Sequence, residues 1–235
     1  QSRRQRQMCI RDRMEGCGHR GPVVEATEWF VPGDFSSAAF WIVLAAAEEG
    51  RRITIQNVGL NPRRTALLDV LERMGADIRV EVISEGDVVE PYGDIRVKGG
   101  LLKGTEICGD EIPNLIDELP LVAVLGALAE GETVIRDAAE LRVKESDRIA
   151  AMAKNLSVMG VEVEEAEDGM RVVGPATLKP RGHANSLGDH RIAMAMAILA
   201  TYCKEPVTVE NIACTETSYP GFWGDLRHMG VNVAF

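Results

Sequence analysis

Residues 141–148 read LRVKESDR, which sets Arg142, Lys144 and Arg148 among Glu145 and Asp147 with only three uncharged neighbours. A run of mixed charge is ordinarily a solvated face laced by ion pairs. The spacing argues for more. On a helix Lys144 and Arg148 stand at i and i+4, and Glu145 and Arg148 at i and i+3, so one turn presents two cations and a carboxylate together. Guanidinium forks of this kind hold phosphate or carboxylate, and a carboxylate beside them can move a proton. Such a carboxylate stays ionised unless burial or an anionic substrate raises its pKa.

Three further polar groups stand immediately before long apolar stretches: Asp34 with Ser36 and Ser37, Asp117 with Glu118, and Asp189 with His190 and Arg191. Asp and Ser at a helix start satisfy orphan amides, and capping accounts for Asp34, Ser36 and Ser37. It accounts less well for Asp117 and for the Asp189-His190-Arg191 trio. An arginine at the positive end of a helix is unfavourable unless an anion sits there, so a bound phosphate or carboxylate is the second reading.

The elements that position these groups recur along the chain. Met74-Gly75, Met159-Gly160 and Met229-Gly230 each close an amphipathic pattern, for example Leu67, Leu68, Leu71 and Met74, or Ile149, Met152, Leu156 and Met159. Ahead of each lies a β-branched strand ending in Asn57, Asp137 or Asn211. Ahead of each strand is a stretch apolar nearly all round, residues 35–48, 118–129 and 190–202, which a helix tolerates only when buried on every side. Further strands are expected at residues 94–97 and 170–173. The class is therefore α/β, with three buried central helices about a pseudo-threefold axis and sheets outside them, the reverse of a barrel with an outer ring of helices. If those helices run parallel, their N-terminal groups converge on one surface.

The chain has 235 residues, 46% hydrophobic and 26% charged, enough for a sizeable core and unlike a disordered segment. Its 26 Lys and Arg against 36 Asp and Glu, a net charge of −10, give no broad footprint for DNA or RNA, while a small anion needs only a local pocket. The apolar runs fall short of the roughly 20 residues of a membrane span. Cys9, Cys17, Cys108, Cys203 and Cys214 are scattered and unpaired in spacing, and are expected as reduced, mostly buried thiols of a cytoplasmic protein. Neither they nor His19, His183, His190 and His228 show ligand spacing, so no metal is predicted. The string from Gly16 to Gly21 spells G-x-G-x-x-G, but an arginine-rich lead-in and Pro22 replace the strand and helix that a nucleotide site requires.

Residues 1–13 carry five arginines and one aspartate without periodicity, and are expected to be a non-native leader, a translated adapter sequence. Residues 14–30 are expected to be a linker or strand from a truncated upstream part, and residues 31–235 a C-terminal domain.

The segments VPGDFSSAAF (31–40), IDELP (116–120), LRVKESDR (141–148), GDHRIAMA (188–195) and TSYPGFW (217–223) together resemble the shikimate-pathway branch of the enolpyruvyl transferase family. The resemblance implies two domains of three βαβαββ units each, with this chain covering the second. It implies transfer of the enolpyruvyl group of phosphoenolpyruvate to the 5-hydroxyl of shikimate 3-phosphate, with release of phosphate and no cofactor. By position, Asp117 would hold the 5-hydroxyl and act as its base, and Glu145 would exchange a proton with the methylene carbon of phosphoenolpyruvate. Lys144 would lie between the substrates, while Arg148, His190 and Arg191 would bind phosphoenolpyruvate. The whole enzyme would be a monomer with no nucleic-acid or membrane partner.

Two departures qualify the resemblance. Many members carry a lysine where this chain has Thr217, and the first domain, which grips shikimate 3-phosphate, is not represented. One domain alone is expected to bind weakly and not to turn over, because closure between two domains supplies the desolvation. The alternatives are a transferase acting on UDP-N-acetylglucosamine, which usually lacks LRVKESDR, and a non-catalytic fragment or binding module.

Overall fold

The structure, a computed structural model, describes residues 30–84 and 90–234 together with Gly18 and Glu28. The chain divides into two units, Gln1–Val31 and Pro32–Phe235. The leader, the linker apart from Gly18, Glu28 and Phe30, and the rest of the G-x-G-x-x-G string lie outside the described residues. The second unit opens with α1 (Phe35–Ala46), β1 (Arg52–Gly59), α2 (Ala66–Arg73), β2 (Asp77–Ser84) and β3 (Tyr92–Lys98). It continues through β4 (Glu106–Ile107), α3 (Ile112–Leu115), α4 (Leu119–Leu128), β5 (Gly131–Ile135), α5 (Arg148–Val158), β6 (Glu162–Ala166) and β7 (Gly169–Gly174). It closes with β8 (Ala184–Asn185), α6 (His190–Ala200), β9 (Val209–Glu210) and α7 (Phe222–His228).

The three apolar stretches are helices, and they pack on one another: α1, α4 and α6 are each in mutual contact. Every residue of α4 except Leu128 is buried, and of α6 every residue from Ile192 to Leu199. Helices without a polar face have nowhere to lie except the interior, because exposing either side would leave apolar surface in water. Two of them, α1 and α6, end two residues before the apolar run does, and α4 is one residue shorter at both ends.

The strands form three sheets. One has the order β1-β3-β2, all antiparallel; a second has β4-β5-β7-β6, with β4 and β5 parallel; the third is the parallel pair β8-β9. A parallel bridge between Gly33 and Val58 stands before α1 as β4 stands before α4 and β8 before α6. The third strand expected from the sequence shrinks to Val209–Glu210, while the other two exist at nearly their expected bounds.

Of the residues expected to close the strands, Asp137 and Asn211 follow β5 and β9, while Asn57 lies inside β1 at the register shift between Ile55 and Val58. Asn57, Asp137 and Asn211 have φ of 55°, 59° and 61°, the left-handed region that Asn and Asp tolerate best among residues with a Cβ. Gly75, Gly160 and Gly230 have φ of 97°, 84° and 90° and end α2, α5 and α7. One glycine serves packing instead. A Cβ on Gly126 of α4 would lie 2.8 Å from Cβ of Thr133, so the helix can seat against β5 only without a side chain there.

The TSYPGFW segment closes the core rather than the site. Phe222 stacks on Trp41 at 5.5 Å and meets Phe40 edge-on at 5.6 Å, and Trp41 Nε1 donates to the Tyr219 hydroxyl at 3.1 Å. Cys9 and Cys17 lie outside the described residues, and for the other three the expectation of buried thiols needs correction: Cys108 is exposed and Cys203 and Cys214 are half-buried, because none sits on the apolar face of an α-helix or strand. Among the described residues no helix is long and apolar enough to cross a membrane.

Candidate active site

Arg148 is the hub. Its side chain is 1% exposed, and its three nitrogens each meet a different carboxylate. Nε donates to Asp189 Oδ2 at 2.8 Å, Nη1 to Asp117 Oδ1 at 3.3 Å and Nη2 to Glu145 Oε2 at 2.6 Å. The carboxylates come from three places: the approach to α4, the loop before α5, and the N-cap of α6. Asp189 is fully buried, caps α6 through the Arg191 amide at 2.9 Å, and accepts from Ser146 Oγ at 3.2 Å. A buried arginine with three carboxylate neighbours is compensated, whereas an unpaired one would be excluded.

Arg191 leans toward α4. Its Nη1 donates to the Asp117 carbonyl at 3.0 Å and stands 3.5 Å from Glu118 Oε1, and Nη2 stands 3.5 Å from Asp117 Oδ2. The arginine that looked misplaced at a helix start is thus matched by carboxylates of its own chain. Burial pushes the Asp117 carboxyl up, but Arg191, Arg148 and Arg64 prevail and hold it below the ordinary value. Its neighbour goes the other way: burial dominates at Glu118 and raises it, despite a hydrogen bond from Ser36. Asp117, Glu118 and Arg64 line a small cavity with Pro113, Asn114 and Ile116.

His190 occupies the first position of α6, where burial and then Arg191 lower its pKa, so it is the neutral imidazole at pH 7. Lys144 departs from expectation. Residues 144–147 are not helical, because Asp147 caps the Ala150 amide at 3.0 Å and α5 starts only at Arg148. The i,i+4 geometry therefore does not exist upstream, and the Lys144 ammonium lies 3.7 Å from Glu140 instead of beside Arg148. Glu145 does meet Arg148, through the loop. Arg142, in the same motif, faces away: it donates to the carbonyls of Ala166 and Glu167 at 2.6 Å each and pairs with Glu165 and Asp147.

Thr217 is exposed, its hydroxyl donating to the Cys214 carbonyl at 2.8 Å. Asp34 caps α1 through the Ser37 amide at 2.8 Å, as capping predicts. Ser36 does not act as a cap: its hydroxyl donates to Glu118 Oε1 and accepts from Arg64 Nη2 at 2.9 Å. Sequence reading had no signal for Arg64, which lies in a turn outside every periodic pattern, nor for the burial of Glu118. Among the described residues no group of three or more His, Cys, Asp or Glu side chains could hold a metal ion.

An α/β core whose buried helices begin in a cluster of arginines and carboxylates defines a class of protein with a charged, anion-matched site at its helix N-termini. Within that class the chain belongs to the EPSP synthase (3-phosphoshikimate 1-carboxyvinyltransferase) family, whose model matches residues 13–226. It is 47% identical over 209 residues to a 3-phosphoshikimate 1-carboxyvinyltransferase of Bacillus licheniformis, covering 89% of this chain and 49% of that protein. It is 50% identical over 211 residues to one of Akkermansia muciniphila, covering 89% and 48%. The solved EPSP synthase from Acinetobacter baumannii superimposes with a TM-score of 0.77 at 39% identity, over 84% of this chain and 46% of that one. The chain spans about half the length of the curated relatives it matches.

Proposed function

We propose that residues 31–235 form the C-terminal domain of an enzyme that moves the enolpyruvyl group of phosphoenolpyruvate onto the 5-hydroxyl of shikimate 3-phosphate, releasing phosphate. The observation that carries the reading is the convergence of Asp117, Glu145 and Asp189 on Arg148, with Arg191 against the first. On this reading α1, α4 and α6 are the central helices of an inside-out barrel about a pseudo-threefold axis. The whole enzyme is read as cytoplasmic and monomeric, with no cofactor.

The chemistry follows from the charges. Asp117 accepts the proton of the 5-hydroxyl as its oxygen adds to C2 of phosphoenolpyruvate, while Glu145 delivers a proton to C3. In the elimination that follows, a C3 proton returns to Glu145 and phosphate leaves carrying the proton that Asp117 had taken, so both carboxyls regain their starting state. Glu145 is the replaceable partner of Arg148: its side chain is 51% exposed and on a loop, whereas Asp189 is sealed. A substrate anion therefore takes the place of Glu145 on Arg148 and frees that carboxyl for proton transfer. The same anion shares Arg191 and Arg148 with Asp117, which removes the charge that depresses its pKa and makes it a better base. Neutral His190 contributes a hydrogen bond rather than a charge, and Lys144, paired among the described residues with Glu140 at 3.7 Å, is available to the substrates.

Because shikimate 3-phosphate and closure require the remaining half of the relatives' length, turnover is proposed for the two halves together. The test is phosphate release from the two substrates when this chain is mixed with a complementary N-terminal half. Release that needs both proteins and both substrates supports the reading. No release from a mixture that demonstrably associates would overturn it.

A further inference from the structure

Glu118 is a buried carboxylate that the proposed chemistry does not use. It occupies the N-cap position of α4, and its carbonyl accepts from the Leu121 and Val122 amides at 2.9 and 3.0 Å, but its side chain makes no cap hydrogen bond. The carboxylate turns instead toward the start of α1. It is 2% exposed, accepts from Ser36 Oγ, and has Arg191 Nη1 at 3.5 Å. Proton directions are fixed here. Arg64 has only donors, so Ser36 accepts from Arg64 Nη2 at 2.9 Å and must spend its own hydrogen on Glu118. Oε1 of Glu118 thus accepts from Ser36 and stands at ion-pair distance, 3.5 Å, from Arg191 Nη1.

We infer that Glu118, held by Ser36 and Arg64, is a positioning residue that fixes the guanidinium of Arg191. Capping cannot explain its burial, since the cap bond is absent, and leaving a carboxylate unused in the interior is costly. The geometry also says why one carboxylate would not suffice. Asp117 is shared between Arg191 and Arg148. On the reading proposed above it becomes neutral when it takes a proton, and Glu118 is then the counter-ion that keeps Arg191 in place. The contact spans three separate segments, 82 residues apart between Ser36 and Glu118, so it also ties α1 to α4 beneath the site.

The experiment uses the chain itself, labelled with ¹⁵N, and reads the Nε–Hε resonances of Arg191 and Arg148, assigned by their loss in Arg191→Lys and Arg148→Lys. In Glu118→Gln the Arg191 side chain is expected to lose its rigid heteronuclear NOE while Arg148 keeps it. Arg64→Ala, whose wild-type side chain is 49% exposed and whose fold is therefore safe, is expected to give an intermediate loss at Arg191 alone. An unmoved Arg191 resonance in both variants overturns the inference, and so does an equal loss at both arginines, which marks general loosening. With the complementary half present, Glu118→Gln should raise the KM for phosphoenolpyruvate about tenfold with little change in kcat, the loss expected for one charge-assisted contact. Loss of Arg191 order in a chain whose wild type binds no phosphoenolpyruvate would sustain the positioning role and overturn the functional reading instead.

Discussion

Arg148 Nε donates to Asp189 Oδ2 at 2.8 Å, and the two side chains are 1% and 0% exposed. The pair joins the first residue of α5 to the N-cap of α6, so one contact sets the relative position of two helices and of the site between them. Removing one member of a buried pair leaves the other charge uncompensated, which typically costs about 3–5 kcal/mol. Arg148→Met is accordingly expected to lower the unfolding free energy by an amount of that order in urea titrations. A variant within about 1 kcal/mol of wild type, the scale of an exposed pair, would show that the burial of this pair is not energetically significant.

Asp117 and Glu118 are adjacent but answer pH in opposite senses. Burial raises Glu118 above its ordinary 4.5, so the folded chain keeps that proton longer than the unfolded one, and stability falls as pH rises through 4.5 toward the folded value. Glu118→Gln should therefore gain on wild type as pH rises above 4.5. Burial also acts on Asp117, but its arginines hold it below 3.8, so its contribution is present above 3.8 and is lost as pH falls through the folded value. The advantage of wild type over Asp117→Asn should shrink in strongly acid solution. Parallel stability-against-pH curves for either variant and wild type would contradict the assigned shift.

In the two-half assay, Glu145→Gln removes the group proposed to move the C3 proton, and a positioned acid or base contributes about 10²–10⁴-fold. A loss of that size in kcat is expected, with the KM for phosphoenolpyruvate changed less. Arg191→Ala should act mainly on KM, because the guanidinium binds rather than reacts. Wild-type rates in both would overturn the site assignment.

Arg142 holds the turn between β6 and β7 through the carbonyls of Ala166 and Glu167 and reaches Asp147, the cap of α5. Arg142→Ala is expected to speed hydrogen exchange at the Ala150 amide and in that turn, without touching the amides of α1. Unchanged exchange at Ala150 would mean that Asp147 caps the helix without help.

Much of the fold was legible because its signals are local. The buried helices announce themselves by the absence of a polar face. Asn57, Asp137 and Asn211 and the glycines after Met74, Met159 and Met229 mark left-handed backbone that few other residues adopt. The residues of the candidate site stand in recognisable motifs, and the contact of Glu145 with Arg148 was expected, though from helical spacing rather than from the loop that makes it. The helical spacing assigned to Lys144 failed because one cap, Asp147, moved the helix start past it.

The sequence by itself determined the α/β class, the three apolar helices and which charged residues stand at their starts, since each depends on neighbours within a turn or two. Only the tertiary structure decided which charges meet. Arg148 reaches Asp117 and Asp189 across 31 and 41 residues, and Ser36 reaches Glu118 across 82. No periodicity encodes such distances: they follow from packing α1, α4 and α6 together, and burial then forces Arg148, Asp189 and Glu118 to find partners.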